Sequence, residues 1–128
     1  MDRARRFASR VFLGAAIYGI AVLAPQYFLE AKVGRDFPPP ITHPENFYGF
    51  IGVALAWQLA FLVIARDPVR YRLLMLPAIA EKLAFGIAAP VLFLLGRAAA
   101  PVAFVGGLDL VLATLFFAAF RATRQAAP

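Results

Sequence analysis

Four uninterrupted apolar runs fill most of this 128-residue chain, at about 11–29, 47–65, 73–95 and 102–120. Each is near the ~20 helical residues that cross a hydrocarbon core about 30 Å thick. The runs are continuous rather than alternating, so they do not describe the strands of a barrel. The expected fold is therefore all-α. It is an integral membrane, antiparallel four-helix bundle, with residues 1–128 as one four-span transmembrane domain.

Composition supports lipid as the solvent. Apolar residues make up 62% of the chain and charged residues 16%. That leaves too little polar surface to coat a water-soluble fold. The net charge of +6 does not point to nucleic acid, because the basic residues fall in short clusters between apolar runs. Such clusters set topology, and no basic stripe with interleaved aromatics accompanies them. The chain has no cysteine and one histidine. Thiol redox chemistry, thiolate metal sites and a bis-histidine haem are excluded, and no metal site is expected.

Local signals mark the helix starts. Thr42-His43-Pro44-Glu45 reads as a capping box, with Thr42 as N-cap and Glu45 three residues on. Asp67-Pro68 reads as N-cap and first residue of the third span, and Pro101 opens the fourth. Pro77 and Pro90 are expected to bend the third span. In the loop at 30–46, three consecutive prolines, Pro38 to Pro40, favour a stiff extended path over the bundle mouth. The other two loops are short, so spans two, three and four are expected to be sequential neighbours.

Lys and Arg counts orient the bundle. Arg3, Arg5, Arg6, Arg10, Arg66, Arg70, Arg72, Arg121 and Arg124 lie on one side, against Lys32, Arg35 and Arg97 on the other, nine to three. Both termini are expected to be cytoplasmic, in an inner membrane. The first span also has the basic start and apolar middle of a signal peptide. Pro25, directly after Val22-Leu23-Ala24, argues against cleavage there.

Ionisable residues inside apolar runs are costly and face inward, so they point to function. Glu81 and Lys82 lie in the third run and Asp109 in the fourth. At about 1.5 Å of rise per residue, Tyr18, Gln58, Trp57, Glu81, Lys82 and Asp109 all fall roughly 10–16 Å from the cytoplasmic end. Small residues share their faces: Gly14 and Ala21 with Tyr18, Ala78, Gly86 and Ala89 with Lys82, Gly106 and Ala113 with Asp109. Such residues line close helix contacts in membranes. Glu81 and Lys82 are about 100° apart around the helix, which predicts different partners. Lys82 is matched to Asp109, and Glu81 to Gln58, Tyr18 or Trp57. Three ionised groups would leave a net negative charge in low dielectric, so Glu81 is the carboxyl expected to keep its proton.

Weaker signals have plainer readings. His43, near Glu45, Asp36 and Glu30, reads as an exposed turn residue rather than a metal ligand. Phe47, Tyr48 and Phe50 at one end and Tyr71 at the other read as aromatic belts. The basic turn Arg66 to Arg72 anchors the chain at the interface. Phe116, Phe117 and Phe120 read as core- or lipid-facing.

The stretch from Tyr48 to Leu95, through Gly49, Gly52, Arg66 and Arg70, together with the four-span plan, resembles the DoxX-like group of small membrane proteins. The resemblance implies a small bacterial-type four-span protein and assigns no residue a role. There is also a likeness to the emopamil-binding-type four-helix fold. Its members bind sterol-like ligands with interior acids and a tryptophan, which here would be Glu81, Asp109 and Trp57.

Three functions remain open from sequence. The leading one is a bundle that binds a small hydrophobic ligand, with Lys82, Glu81 and Asp109 orienting its polar end and Tyr18, Trp57 and Gln58 as walls. The second is a structural or accessory subunit, in a homo-oligomer or with another membrane protein, whose polar layer only fixes packing. The third is an isomerase-type enzyme or proton-coupled carrier using Glu81 or Asp109. No cofactor is specified.

Overall fold

In the computed structural model, which describes residues 2–124, the chain forms helices α1 (Arg3–Leu23), α2 (Glu30–Asp36), α3 (Pro44–Arg66), α4 (Met75–Leu94) and α5 (Ala100–Ala122). Short 3-10 turns extend α1 through Ala24–Phe28 and lead into α4 over Arg72–Leu74. Four segments, Arg3–Phe28, Pro44–Arg66, Arg72–Leu94 and Ala100–Ala122, are long and apolar enough to cross a membrane. The protein is thus an all-α, multi-pass membrane protein. Of the expected domain 1–128, residues 1 and 125–128 lie outside the described residues.

Helix ends follow local chemistry, with two departures from expectation. Asp2 caps α1 by accepting a hydrogen bond from the Arg5 amide at 2.8 Å. Helix α3 starts at Pro44 with His43 as N-cap and no side-chain cap, so Thr42 is not the cap. Proline favours the first helical position, which shifts the boundary one residue onward. Asp67 does accept from the Arg70 amide at 3.2 Å, but it closes only a turn before the 3-10 segment, and α4 begins at Met75. Helix α4 ends on Gly96, at φ +72, with the Arg97 amide donating to Leu92 at 2.7 Å and the Gly96 amide to Phe93 at 3.0 Å. This is the left-handed stop that glycine permits. Pro101 sits in the first turn of α5.

The helices are arranged in the cyclic order α3, α1, α5, α4. Helix α4 packs most extensively on α5, and α1 on α3, with α1 also against α5. Helices α3 and α4, although joined by a short turn, barely touch. The expected sequential packing of spans two and three is therefore corrected. A short turn fixes proximity at one end only. The small-residue face of α4 is spent on α5: a Cβ at Gly86 would lie 3.2 Å from the Gly106 carbonyl oxygen, and one at Gly106 would lie 2.8 Å from Pro90 Cδ. Arg72 reinforces that choice. Its guanidinium donates to the Phe120 carbonyl at 3.0 and 2.8 Å and lies 3.7 Å from the Phe120 ring centroid. The cation thus caps a carbonyl at the C-terminal end of α5, which also accepts from Thr123 Oγ1 at 3.3 Å.

The core lies at the end that holds the termini. Phe12, Phe61 and Phe116 are fully buried. Phe12 stacks on Phe116 at 4.2 Å, and Phe61 meets Phe116 edge-on at 5.0 Å. Alanines 8, 15, 16, 65, 78 and 119 fill the spaces around them, with Ile64 and Met75. Ser9 Oγ donates to the Ala65 carbonyl at 2.6 Å and ties α1 to α3 here. Phe117, by contrast, is exposed.

The opposite end is built differently. The expected extended strap at 30–46 contains helix α2 instead. Residues 37–43 fold back on it, where Gly34 lets Pro40 approach within 3.2 Å of its would-be Cβ. The Pro38–Pro39 bond is cis.

Candidate functional site

Above the aromatic floor the helices form a half-open cavity of about 440 Å³. Its walls come from every helix. Tyr18, Gly19, Val22 and Leu23 line it from α1, and Val33 and Phe37 from the α2 segment. Phe50, Ala54 and Gln58 project from α3, Glu81, Lys82 and Phe85 from α4, and Val102, Val105 and Asp109 from α5. Most of this surface is apolar, with polar groups concentrated on Tyr18, Gln58, Glu81, Lys82 and Asp109. Few convergent polar groups in an apolar hollow are the ordinary make-up of a small-molecule site.

The charged cluster is placed by the α4/α5 seam. Lys82 follows Ala78 and precedes Gly86 and Ala89 on the buried stripe of α4. Asp109 sits between Gly106 and Ala113 on α5. Close backbone approach at these small residues brings Lys82 Nζ to 3.4 Å from Asp109 Oδ1. The reading of Asp109 as a late N-cap does not apply, because α5 runs unbroken from Ala100.

Glu81 departs from expectation. Its Oε2 lies 3.6 Å from Lys82 Nζ, so both acids share one amine. Their Cα–Cβ directions diverge, but the Glu and Lys side chains are long enough to bend to one place. The hydrogen bonds expected from Glu81 to Gln58, Tyr18 or Trp57 are not formed among the described residues, where Glu81 Oε2 has no hydrogen-bond donor. Lys82 Nζ also stands 5.4 Å from the centroid of Phe61, so the floor of the cavity supplies a ring face to the cation.

Gln58 is 1% exposed. Its Nε2 donates to the Ala54 carbonyl at 2.9 Å, while its Oε1 has no partner. The amide occupies the space that a side chain at position 19 would need, because a Cβ on Gly19 would overlap the Gln58 amide. Gly19 is thus the glycine of α1 that matters here. Gly14, expected at a close contact, has nothing within 4 Å of its would-be Cβ, and Ala21 is exposed.

Five of the six site candidates therefore meet at one cavity: Tyr18, Gln58, Glu81, Lys82 and Asp109. Trp57 does not. Its ring packs 6.4 Å from that of Phe61, outside the lining, so its expected role as a cavity wall is corrected. One helical step from Gln58 is enough to turn it away. Residues that sequence reasoning passed over include Gly19, Phe50 and Phe85. Phe50 faces Phe85 across the loose α3/α4 gap, ring centroids 6.4 Å apart, so it is more than a belt residue. A glycine opposite a glutamine leaves no signal without knowledge of which helices meet.

Elsewhere His43 Nδ1 lies 3.3 Å from Glu45 Oε1 in an exposed turn, and no group of three metal-ligating side chains forms among the described residues. Comparison with protein-family models, with curated proteins and with solved structures gives no match to this chain.

Proposed function

We propose that this protein binds a small apolar molecule inside its helical bundle. The observation that carries the reading is the roughly 440 Å³ apolar cavity with Glu81, Lys82, Asp109 and Gln58 gathered at its base. Tyr18 completes that base from α1. A purely structural polar layer would close on itself in a dry core. Here the half-buried Tyr18 and Glu81 border open space, while Gln58, Lys82 and Asp109 are almost wholly covered. The ligand is admitted from the lipid through the loose α3/α4 gap, with Phe50 and Phe85 as the side chains that part. The protein sits in an inner membrane with both termini cytoplasmic, as its nine-to-three charge asymmetry supports. A DoxX-like plan is in keeping with all of this.

Native mass spectrometry of the protein released from membranes, with identification of bound small molecules, tests the reading. Wild type is expected to retain one small apolar compound. Val105→Phe, which fills the cavity, is expected to fold and purify without it. The same mixture of bilayer lipids on both proteins would overturn the proposal.

One observation favours a second role for the Lys82–Asp109 pair alone. It is embedded in the small-residue seam of α4 and α5, so it also sets the register of those helices.

A further inference from the structure

The turn after α3 borders a second hollow, of about 360 Å³, at the end of the bundle that holds the termini. Val63, Arg66, Asp67, Arg70 and Tyr71 line it, and none of them lines the cavity described above. Two exposed guanidiniums thus share one small space. Among the described residues neither forms a salt bridge. The other members hold them in place. Asp67 Oδ1 accepts from the Arg70 amide at 3.2 Å and shapes the turn. The Arg70 guanidinium stands 5.4 Å from the ring centroid of Tyr71, and that ring packs on the core. Arg72, the third guanidinium of the turn, is taken up by the Phe120 carbonyl. Two arginines less one aspartate leave the lining a net charge of +1. That matches the single negative charge of a phosphodiester, whose oxygens suit guanidinium forks.

The position of the hollow says which phosphate. Val53, Ala56, Leu59, Val63 and Arg66 recur at three- and four-residue spacing and are all exposed, so they form one outward stripe of α3. The 23 residues of α3 run about 34 Å at 1.5 Å each, against a hydrocarbon core about 30 Å thick. The stripe therefore lies against acyl chains, and the hollow at its end stands at headgroup depth. A free phosphate would use the arginines alone. A phospholipid uses the arginines and the apolar stripe together.

We propose that this hollow binds an anionic glycerophospholipid, its phosphodiester held by Arg66 and Arg70 and one acyl chain laid on Val63 and Leu59. The site is separate from the cavity. Wild type and Val105→Phe carry this lipid alike, and its loss would leave the cavity reading untouched.

The test is native mass spectrometry of the full chain released from nanodiscs of equal parts phosphatidylglycerol and phosphatidylcholine with the same acyl chains. Wild type is expected to retain one phosphatidylglycerol, on the order of tenfold over phosphatidylcholine. Arg66→Gln with Arg70→Gln is expected to bring the two lipids level. Arg10→Gln with Arg121→Gln removes two exposed charges from the same end, outside the hollow, and is expected to keep the preference. Equal loss in both double variants makes the attraction one of diffuse charge and overturns the site. So does a preference that survives Arg66→Gln with Arg70→Gln. Millimolar inorganic phosphate is expected to leave the lipid bound. Displacement would assign the hollow to a soluble phosphate and overturn the lipid proposal. If the Arg66 and Arg70 variant does not fold, wild type alone decides. A phosphatidylglycerol with a diazirine high on one acyl chain is expected to label Leu59 and Val63 several-fold more than the matching phosphatidylcholine does. No such excess is expected at Leu115 and Phe117, which are exposed on α5. Equal labelling by the two probes, or the same excess on both helices, overturns the proposal.

Discussion

Lys82 is the residue on which the interior electrostatics turn. It is buried between Glu81 and Asp109, so Lys82→Ala leaves two acids without a cation. Removing one partner of a buried ion pair typically costs about 3–5 kcal/mol, read here as lost folded yield and a lower Tm in detergent. Lys82→Leu with Asp109→Leu is expected to recover only part of this, because Glu81 has also lost its cation. Adding Glu81→Gln is expected to recover most of the rest. Full recovery by the double variant alone would show that Glu81 does not depend on Lys82. Gly19 offers a second test. Gly19→Ala drives a methyl into the Gln58 amide and is expected to cost about 1–3 kcal/mol, as overpacking does. Gly14→Ala meets nothing and is expected to be near neutral in the same melt. Lys82 and Asp109 were legible in the sequence because a charge inside an apolar run demands a partner. The convergence of Glu81 on the same amine was not, since the angle between neighbouring Cβ atoms says little about where four- and five-atom side chains end. Trp57 misled for a related reason: depth along a helix is readable, but facing depends on which neighbours are chosen.

Among the helices, the tight seam and the loose one have different consequences. Gly106→Ala places a methyl against Ala89 and Pro90, neither of which can swing aside. It is expected to destabilise by about 1–3 kcal/mol and to separate α5 from α4, measured as a drop in Tm. The α3/α4 gap tolerates change. Phe50→Ala with Phe85→Ala is expected to leave stability within about 1 kcal/mol of wild type while speeding release of a bound apolar ligand, because the ring contact between them is the one that spans this gap. Unchanged release kinetics would place the way in elsewhere. The four spans themselves were plain from hydropathy. Their ends were less so: α1 begins at Arg3, well before residue 11, because a basic N-terminal turn can stay helical beyond the hydrocarbon and still bury Ala8. Helix α2 was hidden by the prolines that follow it, which drew attention to an extended path. The order of helices around the bundle was not readable from loop length, since contact is decided by whose small residues interlock and by the Arg72 clamp on Phe120.

For the molecule as a whole, the described chain has four spans, so the start of α1 and the end of α5 share one side. With nine basic residues there, a fluorescent protein fused after residue 128 is expected to fluoresce, and alkaline phosphatase in the same position to remain inactive. The opposite outcome would invert the orientation. The two halves of the bundle also differ in kind. On the side of the termini, three phenylalanine rings fill the centre with no solvent contact, and the hollow begins only above them. A ligand held above that floor, as proposed, would leave by the way it came, so the expected behaviour is residence and exchange with one leaflet rather than transit across the bilayer.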